Sequence, residues 1–321
     1  MTKVKICGIT NLEDALLSAK FGADALGFNF YAKSPRYILP EKAREIIEQM
    51  PPEILKVGVF VNESLEKICE ITALAKLDAI QLHGEETPEF VREIKAKTNL
   101  EIIKAFRVSP EFKPEDVLRY ETDAILLDAY SPKELGGTGE TFDWKIAGKV
   151  REIFPKMYLA GGLTHENVVR AVGNLKPYAV DVCSGVESQK SEKDKIKLIN
   201  FVTKAKTDLA EMSKDNLWGL LSAIHLRPQM YLGKKSLTLL YTFFCGVDLA
   251  DKLGARKFNT MEILFNDFSD FVRHKFKQGR TNMGWLSRIL EKVNNDEEKA
   301  IDLFFALLEE FKLEKEDLNN E

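Results

Sequence analysis

Two segments of the chain end an apolar run on one reactive group. In Val4-Lys5-Ile6-Cys7-Gly8-Ile9-Thr10 a thiol closes the run before a glycine turn, and in Ala124-Ile125-Leu126-Leu127-Asp128 a carboxylate does so. A thiol acts as a base only as thiolate, so a site using Cys7 must lower its pKa from roughly 8.5. A carboxylic acid donates a proton only while it still holds one. At the C-terminal ends of two parallel strands, the two groups make a general base and a general acid. Alone, a cysteine at a strand end is ordinarily structural. Its company gives Cys7 a chemical reading.

That company includes two glycine-bearing segments. In Leu159-Ala160-Gly161-Gly162-Leu163-Thr164 and Val180-Asp181-Val182-Cys183-Ser184-Gly185-Val186-Glu187, glycines after the seventh and eighth strands let backbone N–H groups approach a phosphate closely, and Ser184 adds a hydroxyl. A phosphorylated, sugar-like ligand is the expected occupant. Arg36, in Tyr31-Ala32-Lys33-Ser34-Pro35-Arg36-Tyr37, is a loop guanidinium able to fork onto a carboxylate. His83, in Ile80-Gln81-Leu82-His83-Gly84, is read either as lining the pocket or as a satisfied structural histidine. Gly136-Gly137-Thr138-Gly139 lacks the lysine and the strand-turn-helix frame of a nucleotide loop, and reads as a flexible lid.

The elements that must position these groups follow from hydropathy. Eight apolar runs alternate with amphipathic stretches: Val4–Cys7, Ala25–Phe28, Val57–Val61, Ala79–Leu82, Ile102–Phe106, Ala124–Leu127, Met157–Ala160 and Ala179–Val182. Continuous rather than alternating apolar strands imply a parallel sheet covered by helices. Eight units over about 206 residues predict a (β/α)8 TIM barrel rather than an open sheet. Its last helix is expected over Ser191 to Leu209, where the charges of Glu192, Lys193, Asp194, Lys195 and Lys197 alternate with apolar Ile196, Leu198, Ile199, Phe201 and Val202.

Beyond a polar linker at Glu211–Asn216 the composition shifts. Residues 214–321 hold one of 11 prolines but 14 of 31 aromatics, which marks a second, mostly helical domain after a barrel over 1–210. Helices are expected over Ser236–Leu253, Met261–Phe276, Met283–Val293 and Asp296–Phe311, with Phe265, Phe268 and Phe271 as core. His225 and His274 are too far apart in sequence to define a site. With 46 basic and 50 acidic residues the net charge is -4, so nothing predicts a nucleic-acid partner. Four scattered cysteines make neither a disulfide framework nor a zinc site. No signal segment or membrane span is read, and a cytoplasmic location with reduced thiols is expected.

The motifs resemble one family in order. Lys5-Ile6-Cys7-Gly8-Ile9-Thr10, Gly27-Phe28 with Ser34-Pro35-Arg36, Val57-Gly58-Val59-Phe60 and Gln81-Leu82-His83-Gly84 are similar to those of the phosphoribosylanthranilate isomerases. So are Asp128 with Gly136-Gly137-Thr138-Gly139, Phe142-Asp143-Trp144, Ala160-Gly161-Gly162-Leu163 and Asp181-Val182-Cys183-Ser184-Gly185-Val186-Glu187. The resemblance implies a cofactor- and metal-free Amadori rearrangement of N-(5-phosphoribosyl)anthranilate in tryptophan biosynthesis. It also implies roles: Asp128 as general acid, Cys7 as general base, and Arg36 on the anthranilate carboxylate. Gly161, Gly162, Ser184 and Gly185 would hold the phosphate, while Asp181 would touch a sugar hydroxyl or pin the loop. Cys183 departs from the family, which usually has serine there. A related isomerisation in histidine biosynthesis would use two aspartates, and Cys7 speaks against it. The rival reading is a silent barrel scaffold carrying an interaction domain.

Leu226-Arg227-Pro228-Gln229-Met230-Tyr231-Leu232-Gly233 is the local signature of the C-terminal part. It is similar to a motif in type II topoisomerase ATPase domains, but the asparagine helix and glycine-rich lid those need are absent. It also resembles small helical bacterial domains, some associated with toxin immunity. A protein partner of residues 214–321 is therefore an expectation, with no membrane or nucleic acid involved.

Overall fold

In a computed structural model, the structure describes residues 1–129, 144–207, 217–253, 266–277 and 284–319. The chain divides into two compact units, Met1–Lys206 and Thr207–Glu321. The first is a closed barrel of eight parallel strands in sequence order: β1 (Lys3–Cys7), β2 (Ala25–Asn29), β3 (Leu55–Phe60), β4 (Ala79–Leu82), β5 (Glu101–Val108), β6 (Ala124–Ala129), β7 (Met157–Leu159) and β8 (Ala179–Val182). Each falls on a predicted apolar run, and β8 closes the ring by pairing with β1.

Strand residues alternate between two cores. Ala25, Val57, Ala79, Ala124, Leu126, Tyr158 and Ala179 fill the barrel interior. Val4, Ile6, Ile80, Leu82, Ile125, Leu127, Val180 and Val182 belong to the layer under the helices. With a period of two, Lys5, Cys7, Gln81, His83, Asp128, Asp181 and Cys183 all fall on the interior face. This parity decides which polar residues meet.

Side-chain caps start several of the helices. Asn11 accepts the Asp14 N–H at 2.8 Å at the start of Leu12–Lys20, and Thr87 precedes Pro88 at the first position of Pro88–Lys97. The last helix of the barrel runs over Lys195–Lys206, not from Ser191. Glu192–Lys193 instead forms a short strand, β10, antiparallel to β9 (Glu187–Gln189). Lys193 is buried in it rather than set on a helix surface.

The second unit contains six helices among its described residues: Leu217–Leu226, Pro228–Leu232, Leu237–Lys252, Phe268–Lys275, Trp285–Lys292 and Glu297–Asn319. Phe268 is fully buried, with ring centroids 5.9 Å from Trp285, 5.3 Å from Phe304 and 5.7 Å from Phe311. The Arg-Pro-x-Met-Tyr-Leu-Gly signature is one short capped helix, opened by Pro228 and closed by Gly233. His225 is buried and stacked on Phe305 at 4.0 Å, whereas His274 is exposed. Phe265, Glu211–Asn216 and the starts of the expected helices at Met261 and Met283 lie outside the described residues. No helix among the described residues is long and apolar enough to cross a membrane.

Candidate active site

A cavity of about 420 Å³ opens at the C-terminal ends of the strands. Cys7, Arg36, His83, Asp128, Gly161, Gly162, Asp181, Ser184 and Gly185 all line it, gathered from six strand ends and their loops. Gly136-Gly137-Thr138-Gly139 and Phe142-Asp143 lie outside the described residues.

Cys7 occupies the charged centre. The Cys183 thiol beside it, by hydrogen bonding, is the main influence lowering its pKa well below the ordinary thiol value; burial opposes this, and Lys5, Lys193 and His83 reinforce it. Lys5 is fully buried, with Nζ 2.7 Å from Asp181 Oδ1. Burial pushes the Asp181 carboxyl up to about 6 against the pull of Lys5, and the Cys7 charge pushes the same way. One ammonium thus lies between two acidic groups, lowering the Cys7 pKa while the Asp181 carboxyl stays raised. The Cys183 thiol moves the opposite way, held protonated first by Cys7 and then by burial.

Asp128 continues the inward register of Ala124 and Leu126. Its Oδ2 lies 3.2 Å from His83 Nε2, and His83 Nδ1 lies 2.8 Å from the Gln81 side-chain nitrogen. With the Gln81 amide so assigned, it donates to Nδ1, leaving the His83 proton on Nε2, toward Asp128. His83 both lines the pocket and is held by structural partners.

Arg36 does fork onto a carboxylate, but one of the chain's own. Its Nε and Nη2 donate to the two Glu187 oxygens at 2.7 Å each. Lys193 Nζ donates to Glu187 Oε1 at 3.1 Å, to the Cys7 carbonyl at 2.7 Å and to the Cys183 carbonyl at 3.3 Å. Burial works against the Glu187 charge, yet Arg36 and Lys193 prevail and hold its carboxyl below the usual range. Sequence reasoning missed Lys5, Lys193 and Glu187 as site members. Interior parity with Cys7 would have found Lys5; nothing local marks Lys193.

The two glycine loops face each other. Gly161 and Gly162 take positive φ values of 79° and 62° in succession, a turn that side chains disfavour. Asn167 fixes it, donating to the Gly162 carbonyl at 2.8 Å and accepting the Thr164 N–H at 2.8 Å. Gly185 packs directly on this loop, since a Cβ there would stand 1.9 Å from the Leu163 carbonyl oxygen. Among the described residues, no group of three or more His, Cys, Asp or Glu has a metal-holding arrangement.

Comparison with known proteins matches this barrel closely. Residues 4–204 fit the family pattern described as N-(5'phosphoribosyl)anthranilate (PRA) isomerase. An N-(5'-phosphoribosyl)anthranilate isomerase of Geotalea uraniireducens is 50% identical over 206 residues, 64% of this chain and 99% of that protein. The crystal structure of the Thermotoga maritima phosphoribosyl anthranilate isomerase is 48% identical, with a TM-score of 0.60 over 64% of this chain and 99% of its own. A phosphoribosyl anthranilate isomerase in complex with reduced 1-(o-carboxyphenylamino)-1-deoxyribulose 5-phosphate is 47% identical, with a TM-score of 0.58 over 64% and 99%.

Proposed function

From the premise that the chain belongs to the N-(5'-phosphoribosyl)anthranilate isomerase family, we propose how its own residues perform the family's reaction. The barrel catalyses the Amadori rearrangement of N-(5'-phosphoribosyl)anthranilate in tryptophan biosynthesis. Asp128 protonates the ribose ring oxygen, and the ring opens to an iminium. Cys7, as thiolate, removes the C2′ proton to give an enolamine, which tautomerises to the ketone. What carries this reading is the placement of a lowered-pKa thiol and a carboxyl in one cavity. Cys7 is poised as thiolate by Cys183, Lys5 and Lys193, and shares that cavity with Asp128 and two facing glycine loops.

Backbone N–H groups at Gly161, Gly162, Ser184 and Gly185 take the phosphate. Arg36 spends Nε and Nη2 on Glu187, so its remaining N–H donors take the anthranilate carboxylate. Glu187 and Lys193 hold that guanidinium in place. Asp181 serves through Lys5, setting how much positive charge reaches Cys7.

Substrate fluorescence decay tests the assignment. Asp128→Ala should cut kcat by about 10²- to 10⁴-fold, the range of a positioned general acid, with KM nearly unchanged. A near-normal kcat would remove Asp128 from the acid's role.

A further inference from the structure

The barrel places a second thiol beside its base, and the isomerisation does not use it as an acid or a base. β1 and β8 run parallel with Lys5 opposite Asp181 and Ile6 opposite Val182, so the next residues, Cys7 and Cys183, stand side by side. Neighbouring strands lie about 4.8 Å apart. That spacing falls within the Cα separation of roughly 4.4–6.8 Å that a disulfide spans. Ile6 and Val182 point to the outer layer, so both sulfurs point inward. Lys193 Nζ ties the two backbones together through the Cys7 and Cys183 carbonyls, and stands 4.0 Å from Cys183 Sγ. Both residues are partly exposed and line the cavity wall, which is open to small solutes.

We propose that Cys7 and Cys183 form a peroxide-reactive dithiol, whose oxidation to a Cys7–Cys183 disulfide shuts off the isomerase and whose reduction restores it. The loss of activity rests on the reading of Cys7 as the base. The Cys7 thiolate attacks one oxygen of hydrogen peroxide, forming an S–O bond as the O–O bond breaks. Hydroxide leaves and is protonated to water, so the sulfur loses two electrons and the peroxide gains them. Cys183 sulfur then attacks the sulfenic sulfur. The S–S bond forms, the S–O bond breaks, and a second water leaves with the Cys183 proton. A dithiol reductant reverses the bond by exchange. The serine usual in the family at this position would leave a Cys7 sulfenic acid to oxidise further, beyond recovery.

The test uses the full chain, wild type and Cys183→Ser, treated with graded hydrogen peroxide and then alkylated. Peptide mapping separates a Cys7–Cys183 link from any involving Cys69 or Cys245, and each rate is scaled to its own untreated protein. Wild type should lose roughly 100-fold or more in rate, the contribution of a positioned base, in step with the linked peptide. Dithiothreitol should reverse both. Cys183→Ser should instead gain oxygen at Cys7 and lose activity irreversibly, and Cys183→Ala should do the same. An unlinked wild type whose thiols stay alkylatable would overturn the proposal, as would equal reversibility in the variants. A linked chain that still turned over would remove Cys7 from the base's role, and the switch with it.

Discussion

At the scale of single residues, the site turns on how little positive charge it has to share. Lys5 lies against Asp181 and near Cys7, while Lys193 serves Glu187 and the backbone beneath both cysteines. Burial makes Asp181 the weaker competitor for Lys5, its carboxyl pushed up to about 6. Removing Lys5 therefore acts on Cys7. In Lys5→Met the lowered thiol pKa moves back up, so less thiolate exists at neutral pH. The sign follows: kcat/KM at pH 7 should fall about tenfold, one unit of pKa, and recover as the pH rises toward the free-thiol range near 8.5. Asp181 limits the damage to the fold by taking up a proton in place of its lost partner. A pH–rate profile superimposable on wild type would show that Lys5 does not set the Cys7 ionisation.

Elements explain what could be read in advance. Parallel strands buried on both faces leave continuous apolar runs, so all eight strands were legible within a few residues. The reactive groups at two strand ends and the two glycine-bearing segments pointed to one face of the barrel, and Cys7, Asp128 and the glycine loops do meet in its cavity. Two site members were not legible in advance, each for its own reason, and for a third, Arg36, the residue was legible but its partner was not. Lys5 looked like an interruption in an apolar run until parity set it beside Cys7. Lys193 sat in a charge pattern that mimics an exposed helix, and only the β9–β10 pairing turns it inward onto Glu187. Arg36 was expected to meet a ligand carboxylate. Its own Glu187, 151 positions away, already holds two of its five N–H donors. Local pattern predicts which face a residue is on, not which distant charge it will find there.

At the scale of the whole chain, the two units each have their own buried core. The family pattern covers residues 4–204 and stops before the helical unit. We propose that the barrel folds by itself, and expect a fragment of residues 1–206 to turn over at the full chain's rate. Aggregation or inactivity of that fragment would show that residues 207–321 support the barrel. The expected partner of the helical unit is a separate proposal. It calls for capture with that unit's surface, not with the cavity. The central claim, that the Cys7 thiolate removes the C2′ proton, is tested most directly with substrate deuterated at C2′. Wild type should release deuterium into water as substrate fluorescence decays. Cys7→Ala, binding with a similar affinity, should release it about 10²-fold or more slowly. Deuterium released by Cys7→Ala at the wild-type rate would contradict the account.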